Sequence, residues 1–195
     1  MNIGDLELIR RSKEGDLKAF NEIVERYQRQ VFNTAARILG STAHADDATQ
    51  ETFISAYRAI GKFRGVNLAP WLLRITKNQC YDMLRAMRRR PADSLEENLT
   101  NPSFQPVERG GGPEEATLQT ELAAEIQRAI LALPESQRLI ITLVDVQGFS
   151  YDEAAQVAGI SKGTVKSRLS RARASVRDHL RGVGELLPPE FRQTL

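Results

Sequence analysis

The chain has 195 residues, 41% of them hydrophobic and 27% charged, with a net charge of +2, which suits one average domain or two small ones. No apolar run approaches the roughly eighteen residues of a membrane span, and the start, MNIGDLELIRRSKEGD, carries acids and lacks the apolar core of a signal peptide; a cytoplasmic protein is expected. Cys80 is the only cysteine and His44 and His179 the only histidines, so an internal disulfide and a multi-thiolate site are excluded, and neither metal nor other cofactor is expected.

Charge is unevenly spread. Residues 1–90 carry a balance of +6, residues 91–127 one of −7, and residues 128–195 one of +3. Two basic bodies joined by an acidic connector say more about partners than the total does.

The first body reads as helices. A short one is expected near Asp5–Arg11. After Gly15-Asp16, a stop and a cap, Phe20, Ile23, Val24, Tyr27, Val31, Ala35 and Ile38 recur at three and four, a single apolar stripe closed by Leu39-Gly40-Ser41. The next helix is expected from Ala45 to Ile60, with Ala45, Ala48, Thr52, Phe53, Ala56, Tyr57 and Ile60 inward and Asp46, Asp47 and Glu51 near its positive end. A third runs from Asn67 to Arg89, with Pro70 in its first turn and Leu68, Leu72, Ile75, Gln79 and Met83 inward. Its opposite side carries Arg74, Asn78, Tyr81, Arg85 and Arg88, joined by Arg89 and Arg90.

Residues 91 to about 117 hold Pro91, Pro102, Pro106, Pro113 and a Gly110-Gly111-Gly112 run with little apolar material. Such a segment buries too little to offset its ordering, and a flexible linker is expected over 91–119. The second body, 120–183, is again helical, with a tail at 184–195. Leu122, Ile126, Ala129, Ile130 and Leu133 mark one helix, and Pro134 opens another that ends at Gly148. The run LIITLVDV (139–146) is ambiguous between helix and strand, and its flanking signals favour helix. Ser150 and Glu153 form a capping box for a helix of two turns, Gly159-Ile160-Ser161 turns the chain, and a long helix runs to Arg181. The fold class is all-α: two small helical domains, a flexible acidic linker, and a helix-turn-helix in the second domain.

That last helix presents Lys162, Lys166, Arg168, Arg171, Arg173, Arg177 and Arg181 against one acid, Asp178, with Thr164, Ser167 and Ser170 among them. An Arg fork can address a guanine edge, and a hydroxyl at a helix start can anchor a phosphate. The basic stripe of the first body, with Asn78 to read a base and Tyr81 to stack, suits a nucleic-acid strand. Packing for Tyr81 and plain surface for Asn78 remain open alternatives. The trio Asp46, Asp47 and Glu51 invites a metal-nuclease reading, but no second carboxylate cluster or general base accompanies it. Docking on a basic helical partner fits the trio better. A dimeric regulator using only the helix-turn-helix is a further alternative, and it predicts a palindromic site.

Three stretches carry a resemblance: DDATQETFISAYRAIGKFRG (46–65), WLLRITKNQCYDMLR (71–85) and LPESQRLIITLVDVQGFSYDEAAQVAGISKGTVKSRLSRAR (133–173). The chain resembles, over residues 5 to about 182, the two-domain bacterial sigma factors of the extracytoplasmic-function group. The resemblance implies that residues 1–90 bind the polymerase clamp helices and the minus-ten element, and that 120–183 bind the minus-thirty-five element. Clamp contact then falls on Asp46, Asp47, Gln50, Glu51 and Phe53. Minus-ten contact falls on Phe63, Arg64, Asn78 and Tyr81, with Arg85, Arg88 and Arg89 on the backbone. Minus-thirty-five contact falls on Lys162, Thr164, Lys166, Ser167, Ser170 and Arg171, and the amides of the helix start at Ser161 can hold a phosphate. It also implies no catalytic residue and no enzyme activity, core RNA polymerase and promoter DNA as partners, an anti-sigma protein as regulator, and a monomer when free. The loop GVNLAPW departs from the family pattern: it is one residue shorter, with Leu68 where an aromatic is common and Pro70 in place of Thr.

Overall fold

The computed structural model describes residues 3–65, 67–89 and 113–182, and in these it is helical, without strands. The first domain comprises α1 (Ile3–Lys13), α2 (Leu17–Leu39), α3 (Thr42–Ala59), a 3-10 turn (Ile60–Lys62) and α4 (Leu68–Arg89). The second comprises α5 (Pro113–Ala132), α6 (Glu135–Ile141), a π-helical turn (Thr142–Val146), α7 (Tyr151–Ala158) and α8 (Lys162–Arg181). Residues 91–112 of the expected 91–119 linker, Arg90 and the tail at 184–195 lie outside the described residues.

Local chemistry fixes most boundaries. Asp16 caps α2, its carboxylate accepting from the amides of Lys18 and Ala19 at 2.9 and 3.2 Å, and so satisfies donors that a helix start leaves unpaired. Gly40 ends α2 in the left-handed region (φ 75°), donating its amide to the Ala36 carbonyl. Ser150 and Glu153 close the expected capping box at the start of α7. α5 begins at Pro113, seven residues before the expected end of the linker; proline fits a first helical position, where its missing amide costs nothing.

The stripe on α2 is inward as expected, with Phe20, Ile23, Val31, Ala35 and Ile38 buried against α3 and α4. Buried Thr34, Thr52 and Thr76 donate to carbonyls one turn back, at 2.9, 2.7 and 2.9 Å, so none leaves an unpaired hydroxyl in this core. Asp5, 4% exposed, takes an ion pair from Arg26 and a 2.6 Å bond from the Tyr27 hydroxyl, tying α1 to α2.

Three expectations need correction. α4 buries Leu73, Thr76 and Cys80 along with Leu68 and Leu72, whereas Ile75, Gln79 and Met83 are only half-buried. A single inward stripe was the wrong picture because α4 packs against α3 on one side and α7 on another. Tyr57 is not inward: it is 39% exposed, its ring edge-on to Phe20 at 5.0 Å. Ser41 caps α3 by accepting from the His44 amide, so the helix starts at Thr42 and Asp46 and Asp47 fall in its second turn. The helix-end field fades within one turn, and it is a weak reason for these acids to be there.

Candidate promoter and polymerase interface

In the second domain, Val165, Leu169 and Ala172 are buried and hold α8 against α6 and α7. Gly159 turns the chain between α7 and α8 at φ 73°, a conformation that a β-carbon would strain. Ser161 caps α8, accepting from the Thr164 amide at 3.2 Å, with the two hydroxyls 2.8 Å apart. Residues one turn apart then face one way: Lys162, Lys166, Ser167, Ser170 and Arg171 are all exposed, and Thr164 is half-exposed. Lys162 pairs with Asp152 of α7 at 2.7 Å. A concavity of about 500 Å³ beside this face is lined by Tyr151, Lys166, Ser170, Arg173 and Arg177.

The basic face of α4 divides in two. Asn78, Arg85 and Arg89 are exposed, Arg85 pairing with Asp82 one turn back. Tyr81, half-buried, and Arg88, itself exposed, reach the second domain. The Tyr81 hydroxyl donates to the Glu135 carbonyl at 3.2 Å, and Arg88 pairs with the Glu135 carboxylate at 2.7 Å. Burial pushes the Tyr81 phenol up to about 12. Arg64 is exposed, but Phe63 is 6% exposed and packs on Trp71 at 4.8 Å. Cys80 is buried and free, its thiol pushed up to about 12 by burial.

On the far side of the first domain, Asp46, Asp47, Gln50 and Glu51 stand exposed along α3, and Phe53 is buried behind them. Asp46, Gln50 and Phe53 border a groove of about 620 Å³ between α2 and α3 that also takes in Leu17, Ile54 and Tyr57. Leu17 is 58% exposed. Neither Leu17 nor Tyr57 stood out as a surface feature in the sequence. The available signal was an apolar residue directly after the Asp16 cap, ahead of the buried stripe. Acids beside an apolar trough suit a basic, amphipathic helical partner.

A Sigma-70 region 2 model matches residues 23–90, and a Sigma-70 region 4 model matches 123–176. The chain is 37% identical to the ECF RNA polymerase sigma factor SigM of Mycobacterium tuberculosis over 87% of its length and 81% of the relative. It is 39% identical to the ECF RNA polymerase sigma-E factor of Escherichia coli K12, over 88% and 92%. Among solved structures it is similar to the sigma factor RpoE of Bartonella quintana, crystallised with the anti-sigma factor NepR (28% identity, TM-score 0.68, 85% of this chain and 98% of that one). It is also similar to CnrH in complex with the cytosolic domain of CnrY (27%, TM-score 0.65, 92% and 98%). The chain belongs to the extracytoplasmic-function sigma factors of RNA polymerase. Its two matched regions are those through which such proteins recognise promoters and direct polymerase in initiation.

Proposed function

We propose that this chain brings core RNA polymerase to promoters by three separate surfaces, and is itself no enzyme. The exposed side of α8 enters the major groove of the minus-thirty-five element: Arg171 and Lys166 read base edges, Ser167 and Ser170 flank them, and Thr164, Lys162 and the helix start at Ser161 hold phosphate. Asn78 reads the minus-ten strand and Tyr81 stacks on it, with Arg64, Arg85, Arg88 and Arg89 on its backbone. Phe63, buried on Trp71, supports the loop that receives a flipped base. The groove between α2 and α3, edged by Asp46, Asp47, Gln50 and Glu51 with Phe53 as its floor, seats the polymerase clamp. An anti-sigma protein regulates the chain in the cytoplasm, where it is otherwise a monomer.

The observation that carries this reading is the exposed row on α8, held in register by buried Val165 and Leu169 and by the Ser161 cap. Among the described residues no helix is long and apolar enough to cross a membrane. Co-purification with core polymerase tests the clamp surface. The chain should bind stoichiometrically, and the charge reversals Asp47→Arg and Glu51→Arg together should weaken binding at least about tenfold, a change of roughly 1.4 kcal/mol. Unchanged binding would remove the clamp role from α3.

A further inference from the structure

One flank of α8 is a polar row at three- and four-residue spacing: Lys162, Lys166, Ser170, Arg173 and Arg177. At roughly 100° per residue, it lies about a quarter turn around the helix from Ser167 and Arg171, the middle of the reading face. From Lys166 onward this row lines the concavity of about 500 Å³ that α8 forms with Tyr151, the first residue of α7. The cations in the row are not equivalent. Lys162 is paired with Asp152, and Arg173 gives two guanidinium nitrogens to Asp145. Lys166 and Arg177 are exposed and have no ion pair among the described residues. Arg177 also stands outside the contacts that the family resemblance places on α8, which end at Arg171.

We propose that Arg177 is a further DNA-positioning residue, holding a backbone phosphate of the strand that walls the major groove on the concave side of α8. The assignment rests on the promoter reading above. A helix in a major groove about 12 Å wide has one strand on each side. A row a quarter turn from its reading face therefore looks at sugar and phosphate, not at base edges. The concavity is continuous with the reading face through Lys166 and Ser170, which belong to both. Lys166 and Arg177 stand eleven residues apart on α8, about 16 Å along its axis, too far to share one phosphate. Arg173 lies between them, but a phosphate placed there would meet the Asp145 carboxylate that already holds this guanidinium. Arg177, one turn further on, has no such acid: the adjacent Asp178 lies on another side of the helix and pairs with Arg181 at 3.4 Å. A contact of this kind fixes the register of α8 on the duplex and carries no sequence information.

The test uses the full chain with bacterial core polymerase, on promoter duplexes selected from a random library. Arg177→Gln should weaken the complex on every upstream sequence alike, leave base preference unchanged and lower the salt slope by about one. The advantage of the unmodified chain over this variant should then shrink about 3.5-fold between about 50 and 200 mM salt. Arg177→Lys should keep the slope, because a phosphate accepts a point charge; a base-reading arginine such as Arg171 should not be replaced so easily. Single methylphosphonates, placed in turn along both strands of the upstream element, locate the partner. One of them should cost the unmodified chain as much as Arg177→Gln does, and cost the Gln variant nothing. Thermal melts of both variants should match the unmodified chain, since Arg177 is exposed. Undiminished binding by the Gln variant at every salt concentration would overturn the contact. So would a loss matched by no phosphate, which would set Arg177 against an acidic segment of a protein instead. Recovery of no promoter from the library would overturn the promoter reading, and the contact with it.

Discussion

Arg173 lays both arms of its guanidinium on the carboxylate of Asp145, at 2.9 and 2.6 Å, joining α8 to the π-helical turn that follows α6. The planar fork matches a carboxylate in a way an ammonium cannot. Arg173 is therefore committed to orienting the recognition helix, unlike Lys166 and Arg171 beside it. The pair is partly exposed, at 53% and 29%, so solvent screens it. Asp145→Ala should lower the stability of the second domain by no more than about 1 kcal/mol, read from a urea melt. It should lower transcription from promoters that depend on the minus-thirty-five element by more than that stability loss explains.

Arg171 is the sharpest test of base reading on α8. Arg171→Ala should reduce transcription from promoters with a strong upstream element and leave those with a weak one nearly unchanged. Binding to core polymerase should not move. Arg171→Lys should recover only part of the loss, because lysine lacks the bidentate geometry. Run-off assays on matched and mismatched upstream elements separate the cases, and full activity of the Lys variant on every template would leave Arg171 a phosphate contact.

Asn78 and Arg89 should behave differently from each other. Asn78→Ala should cost about 1 to 3 kcal/mol on the preferred minus-ten sequence and flatten discrimination among variants of it. Arg89→Ala should weaken every sequence alike and lower the salt slope of binding by about one. Holoenzyme open-complex formation across a salt series measures both. An Asn78 variant with undiminished discrimination would be a plain surface residue.

The caps give stability predictions independent of function. Ser150→Ala removes the acceptor for the Glu153 amide and breaks the reciprocal box at the start of α7, and should cost about 1 kcal/mol. Leu169, 1% exposed and central to the α8 packing, should cost about 2 to 5 kcal/mol when cut to Ala. Chemical denaturation of the full chain, followed by circular dichroism, checks both.

Local signals in the sequence were read correctly because their chemistry is local. Asp16, Gly40, the Ser150–Glu153 box and Gly159 each act within a turn of their own position, and α2 and α7 end where those residues require. The Ser41 cap was equally local, yet α3 was expected to begin three residues later. Asp46 and Asp47 mimic first-turn acids, but the Ser41 hydroxyl upstream is the stronger start signal. What could not be read is what joins distant residues. Tyr81 meets Glu135 across 54 positions and Arg138 meets Ile38 across 100. Periodicity on α4 identifies apolar faces, but not that α7 packs on this helix or that Tyr81 and Arg88 both bond Glu135. The exposed part of its basic stripe, Asn78, Arg85, Arg88 and Arg89, and the exposed row on α8 are legible because a polar run at helical spacing has nowhere to go but the surface.

As a sigma factor, this chain should give core RNA polymerase its promoter specificity. The direct measurement is transcription in vitro by bacterial core polymerase on a template library with two randomised upstream blocks, with and without the purified chain. Transcripts should depend on the chain and be enriched for two sequence elements at one fixed spacing. The upstream preference should be lost with Arg171→Ala and the downstream preference flattened with Asn78→Ala. Transcripts no more abundant or selective than those of core polymerase alone would contradict it.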